Sequence, residues 1–228
     1  MMQKNLILTG GINHDFVDTA DAIAEVLAEE NIESVVTDDL SDGFAQLDKA
    51  DFDLVTVFTL RWRMLDDDKY IPHRTEWAYE INERDRQLLT AHIARGGGLL
   101  GLHTASICFD TWPEWPALLG AEWVWQQTFH PPPAELHVRV SGDHDVTRGL
   151  NDFFVIDELY HNLAAAPASF PLLTAVSAED GSQQAIAFAN ERLHGRAIYS
   201  ALGHDRASVT NEGHARFLKS AAAWCAKG

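Results

Sequence analysis

The sequence predicts an α/β fold with a doubly wound, mostly parallel sheet, carried by a single domain over residues 1–228. Three observations predict it. As far as His103, short apolar runs alternate with segments of helical periodicity, the pattern of parallel strands joined by crossover helices. Some runs are apolar nearly throughout, as "FDLVTVF" (Phe52–Phe58) is, which suits a strand covered on both faces. Glycines close the helical stretch before residue 99, as they do at helix C-termini. A hydrophobic content of 46% supplies a core and argues against disorder.

Taken in order, Asn5–Thr9 reads as a short buried strand and "GGINHD" as the loop after it. Asp18 or Thr19 can cap a helix to about Glu30, with Ala22, Ile23, Val26 and Leu27 on one face. Ile32–Thr37 is a second strand, "DDLSDG" a turn and Phe52–Phe58 a third strand. "RWRMLDDDKYIPHRTEW" is irregular and polar. Glu80–Arg95 fits a helix with Ile81, Leu88, Leu89 and Ile93 inward, stopped by Gly96–Gly98. Leu99–His103 is the fourth strand. Beyond it the pattern loosens into an irregular insertion or antiparallel extension around residues 105–165. "WPEWPALLGAEWVW" gives a short helix and a turn. Ala134–Val140, Leu159–Leu163, Leu172–Val176, Ala185–Ala189 and Ala197–Leu202 read as strands. Asn211–Lys227 is a closing helix with Phe217, Leu218, Ala221 and Trp224 inward.

Charge narrows the partners. Seventeen basic residues against 34 acidic ones give a formal charge of -17. Such a chain repels phosphate backbones, so nucleic acid and anionic membranes are excluded as expected partners. A small-molecule ligand is expected instead, with self-association of the chain left open. The two cysteines, Cys108 and Cys225, have neither metal spacing nor a disulfide pattern. With no apolar window near the roughly 18 residues of a membrane span, a cytoplasmic location is expected.

Ligands of open α/β sheets bind beyond the carboxyl ends of the strands. His14 follows the first strand, His103 ends the fourth, and His204, in "LGHD", ends the last strand before the closing helix. The three reach one rim by topology. His103 stands at a strand-to-helix elbow, which projects a side chain clear of the backbone. An imidazole there can serve as acid, base or metal ligand, or simply bond to a neighbouring backbone group. His204–Asp205 sets a carboxylate beside an imidazole that it could orient or charge, although neighbours in sequence often point apart. Asp157–Glu158, in "DELYHNL" with Tyr160, can serve proton transfer or bind a cation, or remain surface charge on a solvated strand end. "HPPP" (His130–Pro133) fixes an extended backbone that would hold His130 over the rim. No H-E-x-x-H motif is present, so a zinc-type site would have to be assembled from His14, His103 and His204. Gly10–Gly11 lacks the spacing of a dinucleotide loop. Cys108 and Ser106 lie past the elbow, outside the nucleophile position. Trp112, Trp115, Trp123 and Trp125 crowd together, and at least two of them are expected in a core or interface.

The blocks "GINHD", "GGGLLGLHTAS", "GDHDVTRGL", "DELYHNL" and "GRAIYSALGHD", with Trp224 in the closing helix, resemble the trehalose-utilisation ThuA-like family. The resemblance runs from residue 10 to 224. It implies a class I glutamine amidotransferase-like fold with flavodoxin-like layers. At the elbow where amidotransferases carry a cysteine this chain has His103, and "GHD" stands where their histidine–acid pair follows the last strands. Without a thiolate no glutamyl thioester can form, so glutaminase activity is not expected. The resemblance also implies a role in the use of trehalose or related disaccharides through keto-sugars.

These readings give one main expectation and two rivals. The main one is a carbohydrate-metabolism protein acting on or binding a sugar or sugar derivative. His103, His204, Asp157 and Glu158 are its catalytic candidates, and His14, His130, Asp205 and Tyr160 its ligand contacts. The rivals are a non-catalytic sugar-binding or regulatory module and a metal-assisted hydrolase. The cofactor is open, a divalent metal such as zinc being the candidate.

Overall fold

The computed structural model describes residues 2–192 and 194–227. The elements run β1 (Gln3–Gly10), α1 (Phe16–Ala28), β2 (Ile32–Thr37), α2 (Leu40–Lys49), β3 (Leu54–Thr59), α3 (Arg74–Trp77), α4 (Glu83–Ala94) and β4 (Gly98–Leu102). They continue with α5 (Trp115–Leu119), β5 (Ala121–Glu122), β6 (Ala134–Val140), β7 (Phe153–Asp157) and β8 (Ala164–Ala165). The last are β9 (Phe170–Val176), β10 (Gln183–Arg192), β11 (Gly195–Ser200), α6 (Arg206–Thr210) and α7 (Glu212–Cys225).

Nine strands form one sheet in the order β2-β1-β3-β4-β11-β10-β9-β6-β7, and β5 pairs separately with β8. The first five strands of that order are parallel, and the last four extend them antiparallel. The parallel half carries the doubly wound pattern read from the sequence. β3 and β4 are buried along their whole length, which is why their sequences are apolar without alternation. Helices α1, α6 and α7 pack on one face, and α2, α4 and α5 on the other.

Four local expectations are corrected. "DDLSDG" is no turn: Asp39 caps α2 by accepting from the Ser41 and Asp42 amides, and Leu40, Phe44 and Leu47 form a buried stripe. Gly43 lets that helix lie against Leu8, whose Cδ2 would stand 2.3 Å from an added Cβ. Helix α1 begins at Phe16 under an Asp15 cap rather than at Asp18 or Thr19. Leu159–Leu163 is not a strand; the strand before it, Phe153–Asp157, alternates buried and exposed residues and pairs with β6. β4 ends at Leu102, and His103 opens a 3₁₀ turn instead of closing the strand. The antiparallel extension is drawn from residues 134–192, whereas 105–133 supplies the elbow turn, α5 and the tryptophan-rich loop.

Candidate functional site

Strand direction brings the site together. β1, β4 and β11 are parallel, so the loops at their carboxyl ends share one rim. Four successive antiparallel pairings away from β11, β7 again points the same way. Its last residue, Asp157, and Glu158 just after it therefore leave the sheet on that rim too. His14 comes from the β1 loop, His103 from the elbow, Glu158 from the end of β7 and His204 from the loop after β11.

These four meet. One donor atom from each of His14, His103, Glu158 and His204 can be chosen so that all lie within 4.8 Å of one another, a span that a single metal ion would bridge. His14 Nε2 is 3.1 Å from His103 Nε2. Glu158 Oε2 is 3.4 Å from His103 Nε2, and Glu158 Oε1 is 3.4 Å from His204 Nδ1. His103 is fully buried and Glu158 only 6% exposed, so the reading of Glu158 as surface charge is excluded. The His103 backbone is left-handed, at φ 48°, a conformation uncommon outside glycine and held here by the surrounding elbow. Tyr199 donates its hydroxyl to the His103 carbonyl at 2.8 Å, and His103 Nδ1 donates to the Ala201 carbonyl at 2.7 Å.

Asp157 serves the site from behind. Its carboxylate accepts from the amides of Glu158 and Gly203, each at 2.7 Å, and from the Ser208 hydroxyl. It thereby ties the His204 loop to the end of β7. In these three bonds it acts as a positioning residue. Asp205 caps α6 by accepting from the Ser208 amide at 2.8 Å. Its carboxylate holds the helix start and makes no hydrogen bond to the His204 ring, the arrangement of sequence neighbours that point apart. Tyr160 is buried with its hydroxyl 3.3 Å from His103 Nε2. His130, on the exposed loop before the prolines, puts Nδ1 3.3 Å from Glu158 Oε2.

A cavity of about 300 Å³ opens beside the cluster. His14, His130 and Tyr160 line it together with Trp62, Trp123 and Trp125. Trp62 stacks on Trp125 at 5.9 Å between centroids, and Trp123 meets Tyr160 edge-on at 5.0 Å. Trp112 and Trp115 stack instead on each other, buried. The four tryptophans thus divide between core and cavity wall. A larger cavity of about 560 Å³ lies behind Trp123 and Trp125 but is lined by none of the clustered imidazoles.

Burial, with the neighbouring His103, lowers the His14 pKa to about 4. Burial alone would raise Glu158, but the imidazoles of His103 and His204 beside it hold its carboxyl well below the usual carboxylate range. The same carboxylate raises His204. Cys108 is inert: buried, it donates its thiol to the Thr59 carbonyl at 2.9 Å, and burial pushes it up to about 12.

Sequence reading missed Tyr199, Ser208 and Gly203, which hold the site from behind, and Trp62 and Tyr70 in the cavity wall. Tyr199 had a signal: a polar-tipped aromatic in the middle of an apolar strand, four residues before "GHD", must spend its hydroxyl on something buried. Trp62 and Tyr70 lie in the irregular stretch, where no periodicity says which side chains turn inward.

The fold and site define the class first: a flavodoxin-like α/β protein whose polar side chains gather at the strand carboxyl rim. The ThuA family profile, described as trehalose utilisation, matches residues 4–225, and the chain belongs to that family. A ThuA-like protein from Parabacteroides merdae superposes with a TM-score of 0.77 at 18% identity, over 100% of this chain and 91% of that one. A cytoplasmic protein from Salmonella typhimurium LT2 gives 0.64 at 13%, over 97% and 99% of the two chains. A β-galactosidase from Rahnella sp. R3 gives 0.56 at 13%, over 96% of this chain and 30% of that one. At such identities the likeness is one of fold. No curated protein is significantly similar in sequence. No helix among the described residues is long and apolar enough to cross a membrane.

Proposed function

We propose that the chain is a sugar-transforming protein of the ThuA family, acting on a small sugar or oxidised sugar at the rim cluster. The observation that carries this reading is the convergence of His14, His103, Glu158 and His204 beside an aromatic-walled cavity. Buried polar groups converging at the mouth of a largely pre-formed pocket are the usual mark of a small-molecule site. The tryptophan wall suits the apolar C–H face of a pyranose, and the imidazoles and carboxylate suit its hydroxyl or carbonyl oxygens. His130, at the exposed edge of the cluster, is placed to pass a proton to or from solvent. The family's association with trehalose use supports the substrate class, and trehalose itself need not be the substrate. A cytoplasmic place belongs to the same proposal.

The test is product analysis with a panel of disaccharides and their keto derivatives, run beside calorimetric titration. His103→Asn is the variant of choice because asparagine tolerates the left-handed backbone there. Turnover is expected to fall by at least about 100-fold, as it does when a positioned acid–base group is lost. Turnover equal to wild type would overturn the assignment. Binding without turnover, retained in His103→Asn, would favour the non-catalytic module.

A further inference from the structure

We infer that His14, His103, Glu158 and His204 form a binding site for one divalent transition-metal ion. His103 Nδ1 lies 2.7 Å from the Ala201 carbonyl, and His14 Nδ1 lies 3.3 Å from the Ile12 carbonyl. A carbonyl only accepts, so both Nδ1 atoms carry the hydrogen. In the neutral rings both Nε2 atoms then present lone pairs, yet they face each other at 3.1 Å. As neutral rings, neither can donate to the other. Tyr160 has one hydroxyl proton to offer His103 Nε2, and that one proton cannot serve both nitrogens while the two rings are neutral. A shared cation removes the conflict: two nitrogens each about 2.0–2.1 Å from one zinc ion sit roughly 3 Å apart or slightly more.

Two further atoms point the same way. Glu158 Oε2 and His204 Nδ1 are buried without a hydrogen-bond partner. Unpaired buried polar atoms are costly, and these belong to two of the four residues whose donor atoms cluster within 4.8 Å. The surroundings have the form expected of a metal site. Backbone carbonyls fix the tautomers of His14 and His103, and Asp157 fixes the loop that carries His204. Three imidazoles with one carboxylate suit zinc, iron, copper or nickel, whereas magnesium and calcium favour oxygen donors. An ion there would supply Lewis-acid polarisation to a ligand in the adjoining cavity. Glu158 completes the three imidazoles that the sequence singled out.

The test uses the full chain without a histidine tag, stripped with chelator, and Zn²⁺ as the probe. Zinc binds nitrogen and oxygen sites more tightly than manganese or iron(II), so it is a sufficient probe. Calorimetry is expected to show one Zn²⁺ per chain and no comparable uptake of Mg²⁺, with a rise in Tm on loading. Cobalt(II) is expected to give the visible ligand-field bands of a nitrogen–oxygen site. Glu158→Gln and His204→Asn, checked for native near-UV circular dichroism, are expected to weaken zinc binding by roughly tenfold or more. His204 is the less buried of the two, so at least one variant is available in folded form. Absence of stoichiometric zinc uptake would overturn the inference, as would unchanged uptake in both variants. Loading is read without any sugar, so this outcome and the outcome for the sugar reading are independent.

Discussion

Asp157 shows how much of the site rests on a residue that braces the backbone behind it. Its two oxygens accept from the Glu158 and Gly203 amides and from the Ser208 hydroxyl, and it is only 1% exposed. Asn in its place puts an amide N–H₂ against donors. Asp157→Asn is expected to cost about 1–3 kcal/mol, the range for leaving a buried donor unmatched. Urea unfolding measures this, and a variant as stable as wild type would show that the bracket is dispensable. Because Glu158 follows directly, the same change is expected to weaken zinc uptake. Asp157→Ala, which also empties volume, is the poorer probe.

At the scale of elements, the contact between β4 and α7 is set by a residue without a side chain. A Cβ on Gly98 would stand 2.6 Å from the Cys225 carbonyl carbon and oxygen. Backbone cannot rotate aside as a flexible side chain can, so the whole helix must move. Gly98→Ala is expected to cost about 1–3 kcal/mol through overpacking, read as a lower denaturant midpoint with an unchanged slope. The tight approach matters to the site because β4 ends at the elbow that aims His103. Helix α2 teaches the opposite lesson. Its Asp39 cap and its Leu40, Phe44 and Leu47 stripe were present in the sequence, but Ser41, Asp42 and Gly43 in its first turn gave it the composition of a turn. Burial against β1 decided the matter.

For the molecule as a whole, pH dependence follows from the buried imidazoles. Burial lowers the pKa of His92 and of His214, both remote from solvent. Their pKa is about 6.5 in the unfolded chain and lower when folded. Below pH 6.5 the unfolded state therefore binds protons that the folded state refuses, and stability falls as pH falls through that window. One unit below 6.5, each such imidazole removes up to about 1.4 kcal/mol. His204, raised by Glu158, acts in the opposite sense, but His14 and His144 join the lowered group. The metal-free protein is thus expected to be less stable at pH 5.5 than at pH 7.5. The measurement is urea unfolding in high salt, which screens the repulsion of a chain of charge -17. Equal stability at the two values would contradict the burial argument.

The sequence by itself determined the parallel half of the sheet, because period and apolar runs are local properties that burial on both faces imposes directly on Leu54–Thr59 and Gly98–Leu102. It also determined that His14, His103 and His204 share a rim, since parallel strands all end on one side. Only the tertiary structure decided that Glu158 joins them while Asp157 and Asp205 turn away to bond the backbone. That choice depends on the direction of β7 and on a fold-back after it, and on which amides lie within reach. Those are relations between residues about 45 positions apart in sequence, such as Asp157 and Gly203, and no local pattern records them. The facing lone pairs of His14 and His103 belong to the same kind. Each ring orientation is set by a carbonyl, one from two residues earlier in its own loop and one from β11's exit, and their opposition exists only once the chain is folded.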